Sequence, residues 1–251
     1  MTRTPELLSA PTTDPARPVA LVTGGSRGFG RALVQALVQR GWQVVTDGRD
    51  PAALADAIAD LPPGSVVAVP GDVATTSHRA ALAAEVKRRG RLDLLVNNAS
   101  TLGPSPLPPL ADYPLAALAD VFAVNTLAPL ALVQEVLPFV TASSGVVVDV
   151  SSDAAVEAYE GWGGYGAAKA ALDHLTAVLA AENPGVHWYA FDPGDMRTQM
   201  HQAAFPGEDI SDRPLPETVV PALLRLLDEL PASGRYRASD LLPRVPAEVA
   251  S

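Results

Sequence analysis

Six short runs of nearly continuous hydrophobic residues recur along this chain: "PVALVTG", "WQVVTDG", "SVVAVPGD", "LDLLVNNA", "GVVVDVSS" and "VHWYAFDPG". They are not strict apolar–polar alternations, so each predicts a strand covered on both faces, as in a parallel sheet. Between them lie stretches such as "GRALVQALVQRG" and "SHRAALAAEVKRRG", whose apolar residues recur at three- and four-residue spacing and predict amphipathic helices. The alternation begins at residue 18 and implies a single α/β domain, a doubly wound sheet with helices on both faces, over residues 18–251. A late run, "SGRYRAS", is expected to add an edge strand. Residues 1–17, rich in proline, threonine and charge, read as a disordered leader.

Composition narrows the function classes. The 251 residues, 48% of them hydrophobic, suffice for one sizeable core. With no cysteine, disulfides, iron–sulfur clusters and thiolate-bound zinc are excluded. The four histidines, His78, His174, His187 and His201, lack ligand spacing, so no metal site is expected. A net charge of −10 without a basic stripe argues against nucleic acid or an anionic membrane as partner. No run of about eighteen consecutive apolar residues and no signal-peptide pattern are found, which points to the cytoplasm.

Nearly every predicted strand ends in small or polar residues: Gly24, Gly48, Asp72, Asn97 with Asn98, Ser151 with Ser152, and Pro193 with Gly194. Ligands of open α/β sheets bind at the carboxyl ends of the strands, so the polar chemistry converges on one edge. There the first strand runs into "TGGSRGFGRAL", with Gly24, Gly28 and Gly30 between strand and helix. Such glycines let a pyrophosphate approach backbone N–H groups at a helix N-terminus. The spacing is Gly-x3-Gly-x-Gly rather than GxGxxG, and a glycine turn without a ligand is the lesser alternative from this segment alone. The second strand ends "VVTDGRD" and places Gly48 last and Arg49 next. Arg49, with Arg27 in the turn, would suit a 2′-phosphate and hence NADPH. Asp47 and Asp50 flank the position and would favour NADH after a one-residue shift; Arg49 also reads as a surface charge.

The chain has sixteen arginines and only two lysines, Lys87 and Lys169, the second among alanines in "YGAAKAALDHL". Tyr165 and Lys169 are four apart and project side by side from one helix face. An ammonium beside a phenol, whose ordinary pKa is about 10, favours the phenolate and would fit it for acid–base work. The plainer reading is an i,i+4 pair of Lys169 with Asp173, worth about 0.2–0.5 kcal/mol, with Tyr165 merely packing. Ser152, thirteen residues before Tyr165 at the ligand edge, could bond the substrate oxygen that the tyrosine protonates.

Together these residues resemble the short-chain dehydrogenases/reductases over residues 18–240. The matching elements, in order, are "TGGSRGFG", "GDV" at Gly71–Val73, "NNAS" at Asn97–Ser100, Asn125 in "VFAVNTLAP", "SS" at 151–152, "YGAAK" at 165–169 and "PGDMRT" at 193–198. The resemblance implies a Rossmann-type sheet of about seven mostly parallel strands, and hydride transfer between a nicotinamide and a carbonyl or secondary alcohol. By position it makes Tyr165 the general acid/base, Ser152 the group that polarises the substrate oxygen, and Lys169 the cation that lowers the tyrosine pKa and holds the nicotinamide ribose. Asn125 would anchor a water in a proton relay. For NADP it implies the glycine turn (Gly24, Ser26, Arg27, Gly28, Phe29, Gly30), Arg49, Asp72 and Val73 at the adenine, and Asn98 and Ala99 at the adenosine-side ribose and backbone. Pro193, Gly194, Met196 and Thr198 would bracket the carboxamide.

Two departures change the expectations. Family members usually read "NNAG", so Ser100 adds a hydroxymethyl that should narrow the site slightly. The C-terminus lacks their glycine-rich ending, which favours a homodimer over a tetramer, through the helices near 125–142 and 164–182. Met196, Met200, Phe205, Tyr159 and Trp162 read either as an apolar substrate pocket or as lid packing, with Pro206 and Gly207 as flap residues and His201 as a surface residue or, less readily, a substrate ligand. A small carbonyl or alcohol is the expected partner. A catalytically silent dinucleotide sensor and a helix-pair scaffold are the alternatives; neither accounts for Ser152, Tyr165 and Lys169 together.

Overall fold

The structure, a computed structural model, describes residues 17–242. The elements run β1 (Val19–Val22), α1 (Gly28–Gln39), β2 (Gln43–Gly48), α2 (Pro51–Ile58), β3 (Val66–Pro70), α3 (Thr76–Arg89), β4 (Leu94–Asn97), α4 (Leu115–Phe122) and α5 (Ala128–Ala142). There follow β5 (Val146–Val150), α6 (Gly163–Glu182), β6 (His187–Asp192), α7 (Gln199–Ala204), α8 (Pro216–Glu229), β7 (Gly234–Arg237) and α9 (Ala238–Leu241). All seven strands are parallel, in the order β3-β2-β1-β4-β5-β6-β7, with "SGRYRAS" supplying the edge strand β7. The leader expected over residues 1–17 lies outside the described residues except for Arg17, which donates to the carbonyls of Gly41 and Trp42.

The continuous hydrophobicity of the strands is explained by two cores. Ala20, Val22, Val44, Val96 and Val148 face α1 and α8, meeting Leu33, Leu37, Leu223 and Leu226. Their neighbours Val19, Leu21, Val45, Leu95 and Val147 face the other way, onto Leu82 and Val86 of α3 and Leu132, Val136 and Val140 of α5. A strand residue of either parity is therefore buried, which costs the sheet its alternation in sequence. Local signals set the ends. Asp50 caps α2 by accepting from Ala52 and Ala53 N–H, with Pro51 in the first turn. Gly90, at φ +70°, stops α3 behind Lys87, Arg88 and Arg89, whose charges suit the helix C-terminus.

The helical run Leu115–Ala142 is 28 residues long and apolar enough, by length and composition, to cross a membrane. Its buried face is the one packed on α3 and the sheet, as in a core helix. A π-helical turn at Ala123–Leu127 joins α4 to α5 and carries Asn125. Such turns are rare and recur at functional sites. Because strand order reverses between β1 and β4, their carboxyl ends open a crevice, and the loops beyond β1, β4, β5 and β6 surround it.

Candidate active site

A cavity of about 1140 Å³ occupies that crevice. Every residue predicted to bind cofactor lines it, together with Ser152, Tyr165 and Lys169. Asn125 is the exception: it is fully buried behind the loop that follows β4. Its Oδ1 accepts the Thr101 N–H at 2.8 Å and the Ser100 hydroxyl at 3.1 Å, and its Nδ2 donates to the Thr101 carbonyl at 2.8 Å. The side chain is thus committed to the loop.

The glycine turn is built for close approach. Gly24 and Gly28 have φ of +71° and +53°, a region that L side chains rarely adopt. A Cβ on Gly30 would collide with the Gly24 carbonyl oxygen and Asn98 Nδ2, so the first turn of α1 can close over the strand end only with glycine there. Asn98 and Ala99 support the turn rather than reach across the cavity. Asn98 Nδ2 donates to the carbonyls of Thr23 at 2.8 Å and Gly24 at 3.2 Å, and the N–H groups of Asn98 and Ala99 donate to Thr23 Oγ1. Phe29 stacks on Phe191, ring centroids 6.0 Å apart, and anchors α1 to the core.

Asp47 does not face the ribose position. It is 1% exposed; Oδ1 accepts the Gly24 N–H at 2.6 Å, its backbone carbonyl accepts from Gly25, and Oδ2 meets His78 Nε2 at 2.8 Å. Asp50 is used by its cap on α2. Both carboxylates that could have bound ribose hydroxyls are therefore spent on the fold, and Arg49 stands exposed at the cavity edge just past Gly48. The second arginine is less free than expected: Arg27 Nη1 donates to Gln199 Oε1 of α7 at 2.8 Å. The residues fit a nicotinamide dinucleotide: a cradle that a Cβ would fill at Gly30 and an exposed guanidinium, Arg49, at the second strand end. Beyond β3, Asp72 accepts the Ala74 N–H and Val73 is buried, both at the cavity wall.

Tyr165 and Lys169 project from one face of α6 into this crevice. Lys169 Nζ lies 5.7 Å from the centroid of the Tyr165 ring. Lys169 is 1% exposed and donates to the Val150 carbonyl at 2.7 Å. Burial pulls its pKa down to about 8 against the opposing pull of Asp149 and Asp173. The plainer pairing is not formed, because Asp173 bonds Arg235 Nε at 3.0 Å. The expected lowering of the phenol is not found either. Burial raises the Tyr165 pKa, and the opposing influence comes from hydrogen bonding with the Ser100 and Ser152 hydroxyls, not from Lys169. The ammonium is turned to a strand carbonyl, and the phenol keeps its proton at neutral pH.

Ser152 caps a short helical turn at Asp153–Ala155; its hydroxyl donates to Asp153 Oδ1 at 2.9 Å and accepts the Ala154 N–H at 3.2 Å. Tyr159 donates to the other oxygen of Asp153 at 3.0 Å. Two residues missed in the sequence hold this corner. Gly166 lets α6 approach, since a Cβ there would sit 2.5 Å from the Ala154 carbonyl oxygen. Arg235 of β7 donates to the Ser152 carbonyl at 2.8 Å and pairs with Asp192 and Asp173 at 3.0 Å. Glycine inside a helix is a signal in its own right; an arginine on an edge strand is not.

Across the cavity, Gly194 (φ +72°) and the Asp192 carboxylate, which accepts the Gly194 N–H at 3.0 Å, shape the turn at Pro193. Thr198 caps α7 by accepting the His201 N–H. Trp162 meets the Tyr165 ring edge-on at 5.7 Å and Phe205 at 6.1 Å, with Met200 and Leu102 in the same apolar cluster. These side chains both pack the α7 segment onto the body and line the cavity; Met196 also lines it and packs against the main core. His201, expected at the surface, has a side chain only 9% exposed, against Phe205 and 3.6 Å from Asp195.

The chain matches the family of short chain dehydrogenases over residues 18–209. It is 32% identical over 241 residues to a benzil reductase ((S)-benzoin forming) of Saccharomyces cerevisiae, covering 92% of this chain and 88% of the relative. It is 35% identical to the sepiapterin reductase of Mus musculus over 201 residues, 74% of this chain and 77% of the relative. A protein from Shigella flexneri, described as a short chain dehydrogenase and solved in complex with NADP, superposes with a TM-score of 0.83 at 27% identity. That match covers 91% of this chain and 100% of the other.

Proposed function

The chain belongs to the short-chain dehydrogenase/reductase family of NAD(P)-dependent oxidoreductases, and from that premise we propose that it is an NADPH-dependent reductase of apolar carbonyl compounds. One observation carries the reading: Tyr165, Lys169 and Ser152 gather at the ends of β5 and α6 in the same cavity as the glycine turn. When bound, NADPH supplies the hydride. The turn at Gly24–Gly30 would receive its pyrophosphate, Arg49 its 2′-phosphate, and Lys169 its nicotinamide ribose.

The remaining chemistry belongs to side chains. Tyr165 acts as the acid and gives its phenolic proton to the substrate oxygen; a phenol kept protonated by burial suits the direction of reduction. Ser152 turns its hydroxyl from Asp153 to the same oxygen and orients the carbonyl. Lys169 supplies positive potential beneath the phenolate that forms. Trp162, Met200, Phe205 and Leu102 make an apolar wall suited to an aryl or alkyl ketone, in keeping with the name of the yeast relative. The protein pairs as a homodimer through α5 and α6, a reading supported by the exposure of Leu127, just before α5, and of Val178 on α6.

The test follows absorbance as the protein is mixed with NADPH, then NADH, and a panel of ketones and 1,2-diketones. Turnover with NADPH that falls by about 10²–10⁴-fold in Tyr165→Phe, with cofactor affinity kept, is the expected result. Tight cofactor binding without turnover across the panel would replace the enzyme with a dinucleotide sensor.

A further inference from the structure

His78 and Asp47 form a buried pair that takes no part in the proton chemistry at Tyr165. Nε2 of His78 lies 2.8 Å from Asp47 Oδ2, and the two residues are 7% and 1% exposed. A carboxylate only accepts, so Nε2 is the donor. The other oxygen, Oδ1, accepts the Gly24 N–H at 2.6 Å, and the Asp47 backbone carbonyl accepts the Gly25 N–H at 2.9 Å. One residue of β2 thus holds the start of the glycine turn by two bonds. His78, from the first turn of α3, holds that residue.

The imidazole has a second fixed neighbour. A Cβ added to Gly71 would lie 2.1 Å from His78 Nδ1, so the ring rests directly on the backbone that leaves β3. Gly71 N–H donates to the Gly48 carbonyl at 3.0 Å, and Gly71, Asp72 and Val73 line the cavity. A single side chain is therefore wedged between the loop after β3 and the carboxylate that supports the glycine turn. Asp47 itself lies at the cavity wall, beside the turn that would receive a pyrophosphate. Like charges that close repel strongly where the dielectric is low, and N–H donors on both carboxylate oxygens reduce that repulsion.

We propose that His78 is a positioning residue for the dinucleotide. Through Asp47 it fixes the turn at Gly24, and it keeps the second carboxylate oxygen occupied when the pyrophosphate binds. Every nicotinamide dinucleotide carries that pyrophosphate, so His78 acts on NADPH and NADH alike, unlike an arginine that meets only the 2′-phosphate. No covalent bond is made or broken in this role. Cutting the pair leaves Asp47 Oδ2 buried without a donor, which draws the carboxylate off Gly24 and frees the start of the turn.

This role requires that the cavity take a nicotinamide dinucleotide, the cofactor half of the proposed function, and does not depend on turnover. Fluorescence titration gives the Kd of NADPH and of NADH, and the Gly24 amide reports the turn. Thr23–Gly24 is the single Thr-Gly pair in the chain, so 13C at threonine carbonyls combined with 15N in glycine picks out one amide. In His78→Leu both Kd values should rise about tenfold, and the Gly24 amide signal should shift. His78→Gln, whose side-chain amide reaches the Nε2 position, should restore affinity and signal. His78→Asn is too short to reach Asp47 and should behave as the leucine variant does; its polar side chain also serves should leucine fail to fold. Unchanged Kd values, an unmoved Gly24 signal, or equal affinity in the glutamine and asparagine variants overturns the proposal while the dinucleotide reading stands. A loss confined to NADPH overturns it as well. A wild type that binds neither dinucleotide overturns both.

Discussion

Lys169 gives its ammonium to the backbone carbonyl of Val150 at 2.7 Å, tying the middle of α6 to the last residue of β5. The bond sets the depth at which α6 lies over the strand end, and so where Tyr165, one turn earlier, enters the crevice. Around the cation, Asp149 is fully buried and accepts from Asn97 and Thr176, each at 2.7 Å. Asp173 is held by Arg235. The cation is therefore enclosed by groups that already have other partners, and burial governs its proton affinity.

Lys169 should leave a mark on stability between pH 8 and 10. The folded protein releases this proton near pH 8, whereas an unfolded lysine holds it to about 10.4. Over that interval the unfolded chain binds more protons, so stability rises with pH, at most by about 1.4 kcal/mol per pH unit. Above pH 10 the raised Tyr165 phenol acts in the opposite sense, since the folded state then holds the extra proton. Denaturant titrations from pH 8 to 10 should show the rise in wild type and its absence in Lys169→Met; parallel curves would contradict the buried cation.

Arg49 should govern the choice of cofactor. Arg49→Ala is expected to weaken NADPH by about 10–100-fold, the worth of charge-assisted hydrogen bonds, and to leave NADH within about threefold. Fluorescence titration with each dinucleotide reads both constants. Equal loss for the two would show that Arg49 serves the fold or the general potential rather than the 2′-phosphate.

Gly30→Ala should damage the cofactor cradle through sterics alone. Its Cβ meets backbone oxygen at Gly24, which has no flexible end to swing aside. The expected outcome is a loss of about 1–3 kcal/mol in stability and NADPH affinity weakened at least about tenfold. Thermal melts with and without NADPH measure both, and a variant with unaltered melting and affinity would refute the close approach.

Arg235, outside any recognised motif, should matter for Ser152. Replacing it with alanine removes the donor to the Ser152 carbonyl and leaves Asp192, 3% exposed, without the closer of its two arginine partners. Breaking a buried pair on one side costs about 3–5 kcal/mol, an upper bound here because Arg235 is partly exposed and Arg237 lies 3.9 Å from the same carboxylate. Arg235→Lys keeps charge but not the fork, so a lower kcat with near wild-type NADPH affinity is expected. Unchanged turnover in both variants would remove Arg235 from the support of the site.

Much was legible because it is local. Runs such as "VVTDG" declare buried strands by continuous hydrophobicity, and the register that ends β2 at Gly48 follows from the same run. The four-residue spacing of Tyr165 and Lys169 places both on one helix face whatever surrounds them. The α/β order, the ligand edge and the Gly24–Gly30 turn need only chain-neighbour information, and the family resemblance uses the same short segments.

Which partner each polar group takes is another matter, and only the tertiary structure decided it. Asp47 could have faced a ribose; it faces the Gly24 N–H and His78, which lies 31 residues further on. Arg27 meets Gln199 across 172 residues, and Asn125 bonds the loop at Ser100 and Thr101, 25 and 24 residues earlier. Periodicity and propensity act within a turn or a strand. Hydrogen-bond donors are assigned instead by packing that brings remote segments within about 3 Å, and a single chain of letters does not carry that distance.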